Sequence, residues 1–547
     1  MNSSDMAHTV PSGYIVPIKG TMYPYRGDDM RVLIVGAGTV GLSTALFLAR
    51  RGVEVVLVER RNGLSTHPRA FGINSRSIEL FREVGVDFET ATKVRGLATG
   101  PNLNELETKL QLTTLDEPMR RLSPAQGVSR PQDQLDPIVY DRALRLGCEP
   151  RFGAELIGLT GTEATVRDVA SGATSTIAAD YVIAADGANS KVRALLGVDS
   201  TGPGVLNHGH MLNVLFRSNL PTAQFSMCVL TNPESSGILI PVDDTGRWIF
   251  HIPMGDPDAP AQRYTDLIRT ATGIPDLDVD VISCRTWSST ARTANRFRVG
   301  NTFLVGDAAH VVPPTGGFGL NTGLADAHNL AWKLAKVISG EAGEDLLDTY
   351  EQERRPVALF TMEQSLIRGE NRELHWDMSP ARAADRARVG MANVLVPMIG
   401  YRYGSAAVVA PAPWPTSLEE VCLDGSPGSR LPHVWIDDKT STLDLVDGEF
   451  AVLTGGRGGS WESAAEEVGL RAFDVPQLAT AARIGDEGAL LVRPDGFVGW
   501  RAQRGSTRAV EELTAALDQI LARTTRTAPT QSRDRGQRGV VHRGESH

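Results

Sequence analysis

The sequence predicts an α/β fold in which a Rossmann-type dinucleotide-binding domain is joined to an antiparallel β-sheet domain and to a small C-terminal domain. Three observations predict it. The apolar run Val32 to Val35 enters the loop Gly36-Ala37-Gly38-Thr39-Val40-Gly41. Far downstream, the apolar run Thr302 to Val305 enters Gly306-Asp307-Ala308-Ala309-His310 and then Pro313-Pro314-Thr315-Gly316-Gly317-Phe318-Gly319-Leu320-Asn321. Between them, from about 100 to 290, short apolar runs alternate with turn residues, as in an antiparallel sheet.

The wholly apolar run Val32 to Val35 is expected of a parallel strand covered on both faces. Leu42, Ala45, Leu46 and Ala49 recur with helical spacing, and Val53 to Val58 forms the next strand. Strand, glycine loop, helix and strand within about 30 residues make the βαβ dinucleotide unit. Gly36 serves the tight turn, Gly38 lets backbone approach a pyrophosphate, and Gly41 lets helix and strand pack closely. The helix start at Thr39 and Val40 offers free N–H groups and a positive dipole end to phosphates. Glu59, closing the second strand, can accept ribose hydroxyls, and Arg60 beside it leaves a 2′-phosphate as an alternative.

The downstream segments favour a flavin. Asp307, at the end of a strand and before a Gly/Pro loop and helix, suits the ribityl chain of FAD. Helix amides around Leu320 and Asn321 are expected to face the flavin pyrimidine ring, where a positive helix end stabilises the anionic reduced form. The helix is expected from about Gly323, with Ala327, Leu330, Leu334 and Val337 on one face. Asp186-Gly187 follows another apolar strand, Tyr181 to Ala185, as a turn at the same edge. His310 is expected to be a packed, hydrogen-bonded histidine, since the sequence identifies no acidic partner for it.

Asp243-Asp244-Thr245-Gly246, between Ile238-Leu239-Ile240 and Trp248-Ile249-Phe250, predicts a hairpin. Ala410-Pro411-Ala412-Pro413-Trp414-Pro415 reads as an interdomain linker. Past it come strand-like Phe450 to Leu453 and Leu490 to Val492, then a helix with Val510, Leu513, Leu517 and Ile520. The expected organisation is an extension over 1–29, a nucleotide domain from 30–203 and 285–409, a sheet domain over 204–284 that also takes strands near 100–130, a small domain over 410–523, and a disordered tail over 524–547.

A net charge of −10 argues against a nucleic-acid or anionic-membrane surface and for small-molecule partners. Cys148, Cys228, Cys284 and Cys422 lack metal-ligand or disulfide-framework spacing, so no metal site is expected. No signal peptide and no run of roughly 18 apolar residues is found, which points to the cytoplasm.

The three motifs together, with Arg193 after Asp186-Gly187, resemble the single-component FAD-dependent aromatic hydroxylases that share the p-hydroxybenzoate hydroxylase fold, over about residues 31 to 520. The resemblance implies non-covalent FAD, with Arg69 of Pro68-Arg69-Ala70 near the pyrophosphate and Gln132 of Pro131-Gln132 near the ribityl chain. Ala70, Leu156, Asp186, Pro314, Gly317 and Gly319 complete the expected cofactor surface. Phe225, Pro241, Pro313, Thr315 and Gly316 are expected to flank the flavin ring as pocket residues; no catalytic side chain is assigned.

Gly400-Tyr401-Arg402-Tyr403 and Arg430-Leu431-Pro432-His433-Val434-Trp435 are similar to the aromatic polyketide hydroxylases of actinomycetes. That likeness implies a thioredoxin-like C-terminal domain, here without cysteines in Thr454-Gly455-Gly456-Arg457-Gly458-Gly459 and so expected to be structural. It also implies a cycle: NADPH binds transiently and reduces FAD, O2 adds at flavin C4a, and the hydroperoxide delivers one oxygen to a bulky aromatic polyketide. A Baeyer–Villiger or ring-rearranging oxygenase stays open as an alternative, with a flavin reductase or dehydrogenase behind it. So does the choice between monomer and homodimer.

Overall fold

The computed structural model describes residues 30–88, 92–93, 96–111, 116–221, 225–253 and 255–523; the expected extension and tail lie outside the described residues. A six-stranded sheet runs in the order Arg298–Val299, Thr302–Leu304, Tyr181–Ala184, Arg31–Val35, Glu54–Glu59, Glu149–Phe152. Its centre is parallel: Val35 pairs with Ala184 on one side and Val58 on the other. Val32 to Ile34 are wholly buried, as their composition requires. The helix Thr39–Ala49 is buried all round rather than on one stripe, because the helices Gln132–Arg145 and Phe318–Ile338 pack against the side turned from the sheet. Its polar Thr44 is accommodated by donating to Val40 O at 2.7 Å.

A three-stranded sheet, Ala154–Thr160, Glu163–Asp168 and Thr174–Ala178, extends this domain. The second large sheet has eight strands, in the order 310–311, 280–294, 200–217, 247–253, 236–241, 227–231, 96–100, 107–111. The expected hairpin is there, with Pro241 opposite Trp248. The strands are not all short, however: Ser200–Arg217 and Asp280–Ala294 pair over most of their length, and irregularities in register let them bend. They cross the boundaries expected at 204 and 284. The helix Ala261–Thr272 covers one face, burying Tyr264, Ile268 and Ala271 against Leu212, Val214, Phe216 and Phe250. On the other face Leu215, Val242 and Ile249 meet Phe71.

The helix expected from Gly323 begins at Phe318. Gly317, left-handed at φ 66°, caps it, and Gly323 is an interior glycine whose Cβ would lie 2.8 Å from Val40 Cγ2 and 2.9 Å from Gly306 Cα. Close packing, not chain termination, explains it.

At the C-terminus Arg471–Asp474, Ala451–Thr454, Ala489–Val492 and Val498–Ala502 form a four-stranded sheet in that order. The first pair is parallel across the helix Gly459–Glu467 and the others are antiparallel, a thioredoxin-like arrangement. Its core is continuous with that of the nucleotide domain: Trp332 meets Phe450 edge-on at 5.8 Å. The segment read as a linker has no regular structure and is mostly exposed, with one ring contact, Trp414 edge-on to Phe360 at 5.6 Å.

Candidate cofactor and substrate site

The first loop has the shape its glycines require. Gly36 sits at φ 105°, where a Cβ would lie 2.4 Å from Ala185 O, and a Cβ on Gly41 would lie 1.9 Å from Gly36 O. A Cβ on Gly38 would meet nothing within 4 Å, so this backbone faces open space beside the helix N-terminus. That is the cradle a pyrophosphate fits. Glu59, 8% exposed, accepts from Ala37 N and Arg61 N, both at 2.9 Å, and so is held at the loop with lone pairs to spare. Arg60 is exposed at the strand end.

Thr39 is buried and works through its side chain as well: Oγ1 donates to Asp136 at 2.5 Å and accepts from Gln132 Nε2 at 2.8 Å. Gln132 N in turn donates to Ala70 O at 3.1 Å. The structure thereby brings Thr39, Gln132 and the Pro68-Arg69-Ala70 segment together. Burial raises the Asp136 carboxyl to about 7, with Asp133 adding to the rise. Arg69 is exposed, yet burial of its head group together with Arg61 and Arg285 lowers its pKa, while Asp307 and Asp136 oppose that.

Asp307 has solvent-accessible surface but is ringed by protein. That enclosure raises its carboxyl above the ordinary value, against His310, Arg69 and Arg292. Among the described residues it makes no hydrogen bond or ion pair. Asp186 uses one oxygen to cap the short helix after it, accepting from Lys191 N at 2.7 Å and Val192 N at 3.1 Å, while its buried Oδ1 has no partner. Arg193 donates to Ala308 O at 2.7 Å and Ala188 O at 2.9 Å, tying the two aspartate turns together. Two acceptors without donors, beside an open phosphate cradle, fit a cofactor with hydroxyls along its chain, as FAD has.

Beyond Asp307, Ser365 Oγ hydrogen-bonds with Pro313 O at 2.9 Å and Thr315 O at 2.8 Å, setting the Pro313-to-Gly317 loop; Pro314 and Gly317 are exposed and Gly316 half-buried. Gly319 and Leu320 lie in the first turn of the helix. The Asn321 side chain is saturated, bonding Asn74 N, Ser77 Oγ, Gly72 O and Gly317 O, so it anchors the helix start and leaves only backbone for a cofactor. Leu156 is 4% exposed in the core. Phe225 is not brought to this site: it packs beside Trp248 in the cluster under the helix Ala261–Thr272. Pro241 alternates onto the same side as Leu239 of that cluster.

His310 does have an acidic partner. Its Nε2 lies 2.5 Å from Asp326 Oδ2, both fully buried, and Asp326 also accepts from Gly306 N at 3.2 Å and Arg354 Nε at 2.8 Å. Asp326 therefore holds the turn that presents Asp307. A separate cavity of about 540 Å³ lies between the helix Ser75–Glu83 and the C-terminal domain, lined by Arg76, Glu83, His328 and Asp444, and takes none of the expected site residues.

Residues 29–365 match the family model described as FAD binding domain, and 424–524 match aromatic-ring hydroxylase, C-terminal. The chain is 38% identical to tetracenomycin A2 monooxygenase-dioxygenase of Streptomyces glaucescens, over 91% of this chain and 98% of that protein. The crystal structure of a ternary complex of aklavinone-11 hydroxylase with FAD and aklavinone superposes with a TM-score of 0.80 at 33% identity, covering 91% of this chain and 100% of the other. RebC soaked with chromopyrrolic acid and holding 7-carboxy-K252c gives 0.75 at 29% identity, over 90% and 99% of the two chains. The chain belongs to the FAD-dependent aromatic-ring hydroxylase family and is a flavin-dependent monooxygenase. Among the described residues no helix is long and apolar enough to cross a membrane.

Proposed function

We propose that this cytoplasmic enzyme hydroxylates a bulky aromatic polyketide, with NADPH as transient reductant and O2 as oxidant. The observation that carries the reading is the pair of donor-seeking aspartates, Asp186 and Asp307, placed beside an open phosphate cradle and next to the eight-stranded sheet. When bound, FAD would supply the redox and oxygen-activating chemistry. The chain's own part is to hold and enclose. Gly36 to Gly41 and Arg69 take the pyrophosphate, Glu59 the ribose, Asp307 and Gln132 the ribityl chain, and the Pro313-to-Gly317 loop the ring. The sheet face beside Phe71 orients substrate and keeps water from the reacting centre. Tetracenomycin and aklavinone, named in the relatives, indicate fused polycycles as the substrate class.

A Baeyer–Villiger or ring-rearranging oxygenase on the same scaffold is the second reading; RebC, a structural neighbour holding 7-carboxy-K252c, indicates that the scaffold is not confined to the named polyketides. Turnover with NADPH across a panel of tri- to pentacyclic phenols and quinones separates the two by product structure. A new phenolic hydroxyl supports hydroxylation, and a lactone or altered ring skeleton supports the second reading. NADPH oxidation that yields no oxygenated product across the panel contradicts both readings of the substrate.

A further inference from the structure

One row of side chains on the eight-stranded sheet has no role in the account above. His251 pairs with Asn213 and Asn213 with Arg285 across three adjacent antiparallel strands, so the three stand in line on one face. It is the face of Leu215 and Ile249, which packs against Phe71 just after the Arg69-Ala70 segment; the helix Ala261–Thr272 fills the other. Arg285 is close enough to Arg69 and His67 to act on both electrostatically. The row thus lies on the side of the sheet turned toward the cofactor loops.

Each member has unused hydrogen-bonding capacity. Trp287 Nε1 donates to His251 Nδ1 at 3.4 Å, so in the neutral ring the hydrogen sits on Nε2, which has no partner among the described residues. Burial, assisted by His67, lowers His251 to about 4 and keeps that neutral form at physiological pH. Asn213 is 7% exposed, and its Oδ1 is buried without a partner. Arg285 is exposed and makes no ion pair among the described residues. In sequence along the row stand a donor, an acceptor and a cation, over roughly 10 Å for two strand spacings. A single phenol does not span that distance; the edge of a fused polycycle does.

We propose that the His251–Asn213–Arg285 row is the polar wall of the substrate site and selects fused aromatic substrates that carry a hydroxyl beside a ring carbonyl. His251 Nε2–H donates to the carbonyl, Asn213 Oδ1 accepts from the hydroxyl, and Arg285 faces a further, acidic oxygen. A substrate with the oxygens blocked leaves the Asn213 acceptor buried and unpaired, which is how such a site rejects it. These are specificity residues, not catalytic ones.

The proposal rests on the polyketide reading for the place of the site, but its test reads binding alone. FAD-loaded protein, without NADPH, is titrated with 1,8-dihydroxyanthraquinone and with 1,8-dimethoxyanthraquinone, followed by flavin absorbance and tryptophan fluorescence. The hydroxylated probe is expected to bind at least about tenfold more tightly, and the preference to fall to about threefold or less in Arg285→Gln and in Asn213→Leu with FAD content retained. Equal affinity for the two probes in the unmodified protein overturns the proposal; so does an unchanged preference in both variants. Because the unmodified protein alone gives the first comparison, a misfolded variant does not decide the matter. A retained preference with no oxygenated product in turnover leaves this site standing and removes the oxygenase reading alone.

Discussion

The carboxylates around Asp307 and those beneath the C-terminal domain differ in exposure and in partners: Asp307 is exposed and Asp186 half-buried, whereas Glu353 and Asp326 are fully buried. Glu353 accepts from Arg493 at 2.6 and 2.9 Å, Lys333 and Asn329 at 2.7 Å, and Ser405 at 2.6 Å, and Asp326 has His310, Arg354 and the Gly306 amide. Asp307 has no such partner, and one oxygen of Asp186 has none. The saturated set joins the helices Phe318–Ile338 and Asp348–Glu370 to the C-terminal domain and holds the frame. The unsaturated set lies at the turns after the strands Tyr181–Ala184 and Thr302–Leu304, where the proposed cofactor would supply hydroxyls. Saturation and burial go together here: the fully buried acids have their partners, and the more exposed pair keeps acceptors free for the proposed cofactor.

The largest effect should come from breaking the saturated set. Arg493→Met leaves Glu353 and Asp495 with a cation short in a fully buried network, and should lower unfolding free energy by about 3–5 kcal/mol in urea titration. A loss under about 1 kcal/mol would make the network dispensable and dissolve the contrast. Asp307→Ala should act the other way round, leaving apoprotein stability unlowered while weakening FAD by about one to two orders of magnitude, the equivalent of about 1.5–3 kcal/mol for a charge-assisted bond. Unchanged FAD affinity on titration of the apoprotein would place Asp307 among the structural acids.

A smaller effect is expected from acid. Burial lowers His67, His251, His375 and His433 to about 4 from an ordinary 6.5. Between those values the unfolded chain binds more protons than the folded one, so stability is lost as pH falls from about 6.5 through about 4. Urea midpoints measured from pH 7.5 down to 4.5 should decline over that window, and a flat profile would mean that these rings are free to ionise. The smallest effect belongs to Cys422→Ser. Cys422 is exposed, and the strand-to-helix turn after Thr454 holds no cysteine, so turnover should be unchanged; loss of activity with folding and FAD intact would reveal a thiol cycle.

The parts of the site legible in the sequence are local. Gly36 to Gly41 between two apolar strands, and Asp307 at the end of a third, declare themselves because turn geometry and burial act over a few residues. The His310–Asp326 pair was hidden because it depends on where the Phe318–Ile338 helix begins, and Gly323, taken as the helix start, is an interior glycine that serves close approach to Val40 and Gly306. The His251–Asn213–Arg285 row was hidden for another reason. Alternation gives each strand two faces, but only the register among three strands far apart in sequence aligns these residues, and only tertiary packing decides which face meets the cofactor loops. Phe225 lies in the loop before the strand Met227–Thr231, and only tertiary packing turns it into the cluster with Trp248.

Oxygen-isotope labelling follows the atom that a monooxygenase must transfer. With NADPH, ¹⁸O2 and a hydroxylated polycyclic quinone, the account predicts one ¹⁸O atom in the product as a new ring hydroxyl, with O2 consumed in step with product. Hydrogen peroxide alone, or product carrying oxygen only from water, would contradict it.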